Sequence, residues 1–251
     1  MTEGTLEAAT ATFVAVLNRV VAAAIDTDVT FVPERIADGQ RASIESSRMG
    51  ERSEGFPLVR ANDDPARPAL LLKAKYLVKL ARGSEYLRVI TSTVGLWVDV
   101  TGGRKKHRPL VRLEYDRYPR SSDRPAAHVH LHANSPEMAW VYGSSGQAAP
   151  DLHALHFPVG GQQFRPTLED FLLFLNREKL YTDFKPNWKP EVMRSLREWQ
   201  DRQAAATVKK YPELSASVLK KLGYVISPSG DRPTTKPNPT SSKGPVRTTD
   251  T

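Results

Sequence analysis

Apolar and polar residues alternate along the middle of the chain with the two-residue period of a β-strand. Three such stretches follow one another, at about 70–80, 85–100 and 108–118. Consecutive strands joined by short turns usually pair as an antiparallel meander. The pattern therefore predicts three neighbouring antiparallel strands. The first and third have one apolar and one polar side, and the second is apolar on both faces in part, as a central strand is.

A fourth strand is predicted where histidines alternate with apolar residues. His128, His130 and His132 share one side of this segment, and Val129 and Leu131 share the other. β-Branched or aliphatic residues would serve a purely structural sheet better than histidine. The segment is therefore either a functional histidine face or the solvated face of a half-buried strand, and alternation does not choose between them.

The polar sides of the four strands are expected to share one face, because the apolar sides must meet a common core. That face would gather Lys73, Lys75, Lys79, Arg112, Glu114, Asp116, His128, His130 and His132. Gly95 indicates a β-bulge, after which the parity of the side chains could change.

Helical periodicity flanks these strands on both sides. Residues 5–25 repeat apolar side chains about every 3.6 positions. A helix over 168–180 follows the capping-box sequence Thr167–Asp170. Basic helical segments are predicted at about 189–209 and 212–222. The first two helices are expected to cover the apolar face of the sheet.

Together these elements predict an α+β fold built on a roughly four-stranded antiparallel meander. Residues 33–68 contain several Pro and Gly, and are predicted to form a long irregular connection with a short helix near 36–44. The expected organisation is an α+β domain over 1–184, a basic helical extension over 185–226 and a disordered tail over 227–251.

Composition narrows the class of protein. Cysteine is absent, which excludes disulfides and cysteine-ligated zinc. The N-terminus is a poor signal peptide, and the apolar run at 20–25 is too short to span a bilayer. These features are expected of a soluble, cytoplasmic protein without a membrane partner.

Positive charge is concentrated in two segments. Residues 69–125 carry 13 Lys and Arg against 5 Asp and Glu, and residues 185–224 carry 9 against 4. Such clustering is typical of proteins that bind nucleic acid. The candidate phosphate contacts are Lys73, Lys75, Lys79, Lys105, Lys106 and Arg112.

The order of the predicted elements along the chain resembles that of a known protein family. A basic meander, a histidine-bearing segment, Phe157-Pro158 and an acidic-apolar helix follow one another; the residues concerned are His128, His130, His132, His156, Phe157 and 167–175. Over about 70–180 this order resembles the TumE-type toxins of bacterial toxin–antitoxin systems. The resemblance implies action on RNA and a protein partner such as an antitoxin. The N-terminal region and the basic C-terminal helices have no counterpart in that family.

Three functions are compatible with these patterns. The first is a toxin-like nuclease acting on RNA, because histidine titrates near neutrality and suits general acid–base catalysis. Its acid and base would come from the set His128, His130, His132 and Glu114, with His130 paired with His132 or Glu114. Cations of the polar face would hold the phosphate.

The second is a zinc or iron site that serves hydrolysis. His128 and His132 lie about 13 Å apart along a straight strand, so all three histidines cannot easily share one ion. Two of them could do so with His153, His156, Glu114 or Asp116. No metal or cofactor is the first expectation, and if zinc or iron is bound, the predicted ligands are His128, His130 and His156. A metal would also serve phosphoester hydrolysis, so this function can merge with the first.

The third is a non-enzymatic module that binds nucleic acid or a protein. The basic segment 185–224, with Trp188 and Trp199, suits either partner.

Overall fold

The computed structural model of the protein describes residues 4–48, 51–52, 55–58, 70–81, 87–99, 107–121, 124–133, 157–160 and 165–227. Several predictions fall outside these ranges. They concern Lys105, Lys106, His153, His156 and the tail beyond 227.

Antiparallel strands dominate the described part of the chain and form a single sheet. They are β1 (Thr30–Arg35), β2 (Arg41–Arg48), β3 (Glu51–Arg52), β4 (Phe56–Leu58), β5 (Leu70–Leu80), β6 (Leu87–Asp99), β7 (His107–Asp116), β8 (Ala127–Leu131) and β9 (Phe157–Gly160). Seven of them lie in the order β1-β2-β5-β6-β7-β8-β9, while β3 pairs with β2 and β4 pairs with β5. The predicted α+β class with an antiparallel sheet is therefore confirmed.

Four helices accompany the sheet in the described residues. They are α1 (Gly4–Ala24), α2 (Leu168–Arg177), α3 (Trp188–Lys210) and α4 (Pro212–Lys221). The capping box predicted for α2 is present. The Thr167 hydroxyl accepts a hydrogen bond from the backbone N–H of Asp170 at 3.0 Å, and the Asp170 carboxylate accepts one from the backbone N–H of Thr167 at 3.1 Å.

The four predicted strands correspond to β5–β8, which follow one another in the sheet as a meander. The prediction of an irregular connection over 33–68 was wrong where that segment is described. It contains β2, β3, β4 and the second half of β1. A turn over 36–40 and the start of β2 stand where a helix was predicted near 36–44. The strand β2 was not predicted because its sequence, RASIESSR, is rich in serine. Ser43, Ser46 and Ser47 are buried, so the buried positions do not show an apolar–polar alternation.

The core lies between one face of the sheet and the helices α1, α2 and the start of α3. Leu17, Val20 and Val21 of α1 join Leu72 and Tyr76 of β5 in one buried cluster, to which Leu168, Phe171, Leu172 and Leu175 of α2 also belong. Over Leu6–Ala24, α1 is long and apolar enough to cross a membrane by length and composition alone. Here it packs as the core helix of a soluble-type fold.

The chain divides into two compact units, residues 1–205 and 206–251. The first half of α3 belongs to the first unit, because Trp188 and Val192 are buried in the same core cluster as the sheet. The boundary predicted between 184 and 185 therefore does not coincide with this division. In the second unit, α4 buries none of its residues.

Candidate metal centre

Cross-strand pairing places the predicted polar residues in two rows across β5–β8. The rows are Lys75–Thr93–Glu114–His128 and Lys73–Gly95–Arg112–His130. Directly paired residues of antiparallel strands project from the same face of a sheet. The convergence expected from alternation is therefore present for these residues.

Gly95 is not a bulge. The register shifts instead between Leu96 and Trp97, where Leu110 is the extra residue of β7. Gly95 marks a close approach of two backbones, because a Cβ at this position would collide with the carbonyl oxygen of Val111. The shift lies beyond Arg112 and Glu114 in the sheet, so the two rows keep their parity.

Three side chains of β7 and β8 converge at one end of these rows. Oε2 of Glu114 lies 3.5 Å from Nε2 of His130 and 3.6 Å from Nε2 of His128. Among the described residues, these three form the one group whose potential ligand atoms all lie within 4.8 Å of one another. Nη1 of Arg112 contacts the other carboxylate oxygen, Oε1, at 3.0 Å.

The orientation of the His128 ring is set by a backbone carbonyl. Its Nδ1 lies 2.9 Å from the carbonyl oxygen of Pro125, which can only accept a hydrogen bond, so Nδ1 carries the hydrogen. In the neutral ring, Nε2 then presents a lone pair towards the Glu114 carboxylate. The contact between Nε2 and the carboxylate is favourable when Nε2 also carries a proton or when both atoms bind a cation.

The carboxylate of Glu114 is strongly acidic. Its pKa is lowered from 4.5 to about 2, and the contact with His128 contributes most, although 3.6 Å is longer than an ordinary hydrogen bond. Burial raises this pKa, while the charges of Arg112 and His130 lower it further. Glu114 is therefore ionised at neutral pH and supplies a full negative charge to the cluster.

Burial changes the picture of the histidine face. His128 is only 2% exposed and His130 only 6%, so the interpretation of this side of β8 as a solvated strand face was wrong. The side chains of Glu114 and Arg112 are 25% and 28% exposed and form the outer part of the cluster. Alternation predicts the side on which the histidines lie but not how deeply they are buried.

Two predicted partners lie outside the cluster. His132 follows the end of β8, where its backbone N–H donates to the carbonyl oxygen of Leu110 at 2.9 Å. The Asp116 carboxylate accepts from the backbone N–H of Tyr118 at the far end of β7, also at 2.9 Å. Neither residue belongs to the group formed by Glu114 and the two buried histidines.

The predicted phosphate-binding lysines are spread along β5. Lys75 pairs with Glu45 at 2.7 Å, and Nζ of Lys73 lies 3.1 Å from Nδ1 of His107. Lys79 lies further along the strand, near the ring of Tyr118 at 5.8 Å. The basic face thus contains partly compensated charges rather than a row of isolated cations.

Sequence reasoning missed Glu45, the carbonyl group of Pro125 and Trp97. Glu45 lies in the segment predicted to be irregular, and nothing in the sequence marks a backbone carbonyl as a partner of His128. For Trp97 a signal existed, because it has the same strand parity as Thr93 and Gly95.

No known protein family, curated protein or solved structure matches this chain at a significant level. The resemblance to TumE-type toxins therefore stays a prediction from the sequence.

Proposed function

We propose that the protein is a metal-dependent phosphoester hydrolase that acts on nucleic acid, RNA in preference to DNA. Zinc or ferrous iron would be held by Glu114, His128 and His130. The observation that carries this proposal is the approach of two buried imidazole nitrogens to one carboxylate oxygen.

The two distances from the Glu114 carboxylate to the histidine nitrogens suit a tetrahedral ion. Ligands about 2.1 Å from zinc in tetrahedral geometry are about 3.4 Å apart. The two distances from Oε2 of Glu114, 3.5 and 3.6 Å, are close to that value. The carbonyl group of Pro125 and the guanidinium of Arg112 orient His128 and Glu114 from outside the ligand set, as supporting groups do in metal sites.

A set of three protein ligands leaves a coordination position for water, which is the arrangement of catalytic rather than structural zinc sites. A bound metal ion would lower the pKa of that water and polarise a phosphoryl oxygen. The predicted ligand His156 is replaced in this proposal by Glu114.

Acid–base catalysis without a metal is less well supported. A general acid or base must reach the 2′-hydroxyl or the leaving oxygen of RNA within hydrogen-bonding distance. His130 is buried, and of its two predicted counterparts Glu114 lies in the cluster while His132 lies outside it. An ion at the outer, partly exposed Glu114 could instead meet a substrate at the surface of the sheet.

A nucleic-acid substrate is supported by the net charge of +8 and by its concentration in 69–125 and 185–224. Toxin-like action on RNA, an antitoxin-like protein partner and a cytoplasmic location belong to the same proposal. They rest on the sequence patterns and on the family resemblance.

A second candidate function is non-enzymatic binding through α4. This helix exposes Leu214, Val218 and Leu219 beside Lys220 and Lys221, and none of its residues is buried. An exposed amphipathic basic helix suits a protein or nucleic-acid partner and needs no catalytic geometry.

The deciding experiment is a cleavage assay with matched RNA and DNA oligonucleotides, with added zinc or ferrous iron and with chelator. We expect metal-dependent cleavage of RNA that is lost in Glu114→Gln and His130→Ala but retained in His132→Ala. Cleavage that persists in chelator and is lost in His132→Ala would reject the metal mechanism in favour of acid–base catalysis. Binding without cleavage under all conditions would favour the second candidate.

A further inference from the structure

An open cleft of about 340 Å³ lies on the polar face beside the rows that lead to Glu114. It is lined by Glu45, Ser46, Lys73, Ala74, Lys75, Thr93 and Trp97. We infer that this cleft binds the nucleotide next to the phosphoester that the metal centre cleaves. The inference rests on the proposed function and names a substrate subsite for it.

The cleft arises from a fork in the sheet. β2 pairs with β5 from Tyr76 onwards, whereas β4 pairs with β5 only as far as Leu72. Residues 73–75 of β5 lie between these two ladders, and neither β2 nor β4 pairs with them. The opening therefore follows from the strand pairing and does not depend on one side-chain rotamer.

Its lining suits a nucleotide. Lys73 and Lys75 supply cations and Thr93 supplies a hydroxyl, and these are donors that bind phosphate. Trp97 supplies an aromatic wall of the kind on which nucleobases stack. The volume falls at the lower end of the range found for small-molecule sites, which excludes a large ligand.

Both lysines are held in place by neighbours within the fold. The carboxylate of Glu45 fixes Lys75, whose side chain remains 63% exposed. Lys73 contacts His107 and lies 5.7 Å from the centre of the Trp97 ring. An incoming phosphate would thus meet two positioned ammonium groups beside the aromatic ring.

The cleft is also at a suitable distance from the metal centre. Lys75, Thr93 and Glu114 are consecutive members of one cross-strand row. Two strand spacings of about 4.8 Å separate β5 from β7, so the backbones of Lys75 and Glu114 are about 10 Å apart. One extended nucleotide, held between the side chains of Lys75 and Glu114, can bridge this gap.

The test is calorimetric titration of the full-length protein with AMP, adenosine and inorganic phosphate, in chelator so that no metal can bind the phosphate. We expect AMP to bind more tightly than either fragment. Lys73→Gln and Lys75→Gln should each weaken AMP binding about tenfold, which corresponds to the loss of one charge-assisted contact. Lys179→Gln removes an exposed lysine outside the sheet and should change the affinity less than about twofold.

Equal affinities for AMP and phosphate would overturn the inference in favour of a simple anion site. A loss of affinity in Lys179→Gln as large as in the cleft variants would overturn it as well, because binding would then reflect overall charge. Since the titration contains no metal, its result is independent of the proposed hydrolase activity. RNA cleavage without AMP binding rejects only the subsite, and AMP binding without metal-dependent cleavage rejects only the hydrolase.

Discussion

Among single residues, the proposed metal centre depends most on Oε2 of Glu114. This atom faces Nε2 of both His128 and His130, while Arg112 holds the other carboxylate oxygen. Each imidazole can contact Oε2 through a proton on Nε2 or through a metal ion that both atoms bind. The same atoms would bind the proposed metal ion and would also influence the stability of the metal-free protein at low pH.

In the metal-free protein, Glu114 should contribute to the pH dependence of stability. Its pKa in the folded state is about 2, below the ordinary value of 4.5, so its stabilising effect is complete above about pH 5. The effect is lost as the pH falls from about 5 towards 2, because the unfolded chain binds the proton first. Urea unfolding of chelated protein at several pH values should show a shallower acid dependence in Glu114→Gln than in the wild type. Equal slopes would contradict the lowered pKa.

Among the secondary-structure elements, alternation was sufficient to predict β5–β8. It also predicted the shared face of the two rows of side chains that cross these strands. It failed for β2, whose serines are buried, and for β9, which was not predicted as a strand. It also could not give the depth of His128 and His130. Side-chain parity is a local property of a strand, whereas burial depends on contacts with parts of the chain distant in sequence.

The cap of α2 gives a prediction at this scale. Thr167 is buried and takes part in both hydrogen bonds of the capping box, so Thr167→Ala should lower the free energy of unfolding by about 1 kcal/mol. Urea denaturation measures this difference. Thr182→Ala removes an exposed hydroxyl outside the helices and should change the free energy by less than about 0.5 kcal/mol. Equal effects of the two substitutions would mean that the cap does not stabilise the helix.

At the scale of the whole molecule, charge is distributed unevenly along the chain. The net charge of +8 combines basic segments at 69–125 and 185–224 with acidic segments at 1–68 and 126–184. The sequence is sufficient to predict this distribution of charge. It does not predict the ion pair between Lys75 of β5 and Glu45 of β2, because the two residues are far apart in the sequence. Part of the basic surface is thus already compensated within the fold.

Binding of nucleic acid should therefore depend steeply on salt. If six or more phosphates are contacted, affinity should fall by about 10³-fold or more between about 50 and 200 mM salt, because bound counterions are released. Lys73→Glu together with Lys75→Glu should weaken binding to all sequences alike. Fluorescence anisotropy with short RNA and DNA at two salt concentrations tests both expectations. Affinity that is independent of salt would contradict a phosphate-based interface.

Titration of the chelated, dialysed protein with Co²⁺ tests the proposed metal centre. Cobalt substitutes for zinc and reports tetrahedral nitrogen and oxygen ligands through its visible absorption bands. We predict saturation at about one equivalent, loss of the bands in Glu114→Gln, His128→Ala and His130→Ala, and their retention in His132→Ala. Absence of the bands in the wild type, or their persistence when His130 is replaced, would contradict the account.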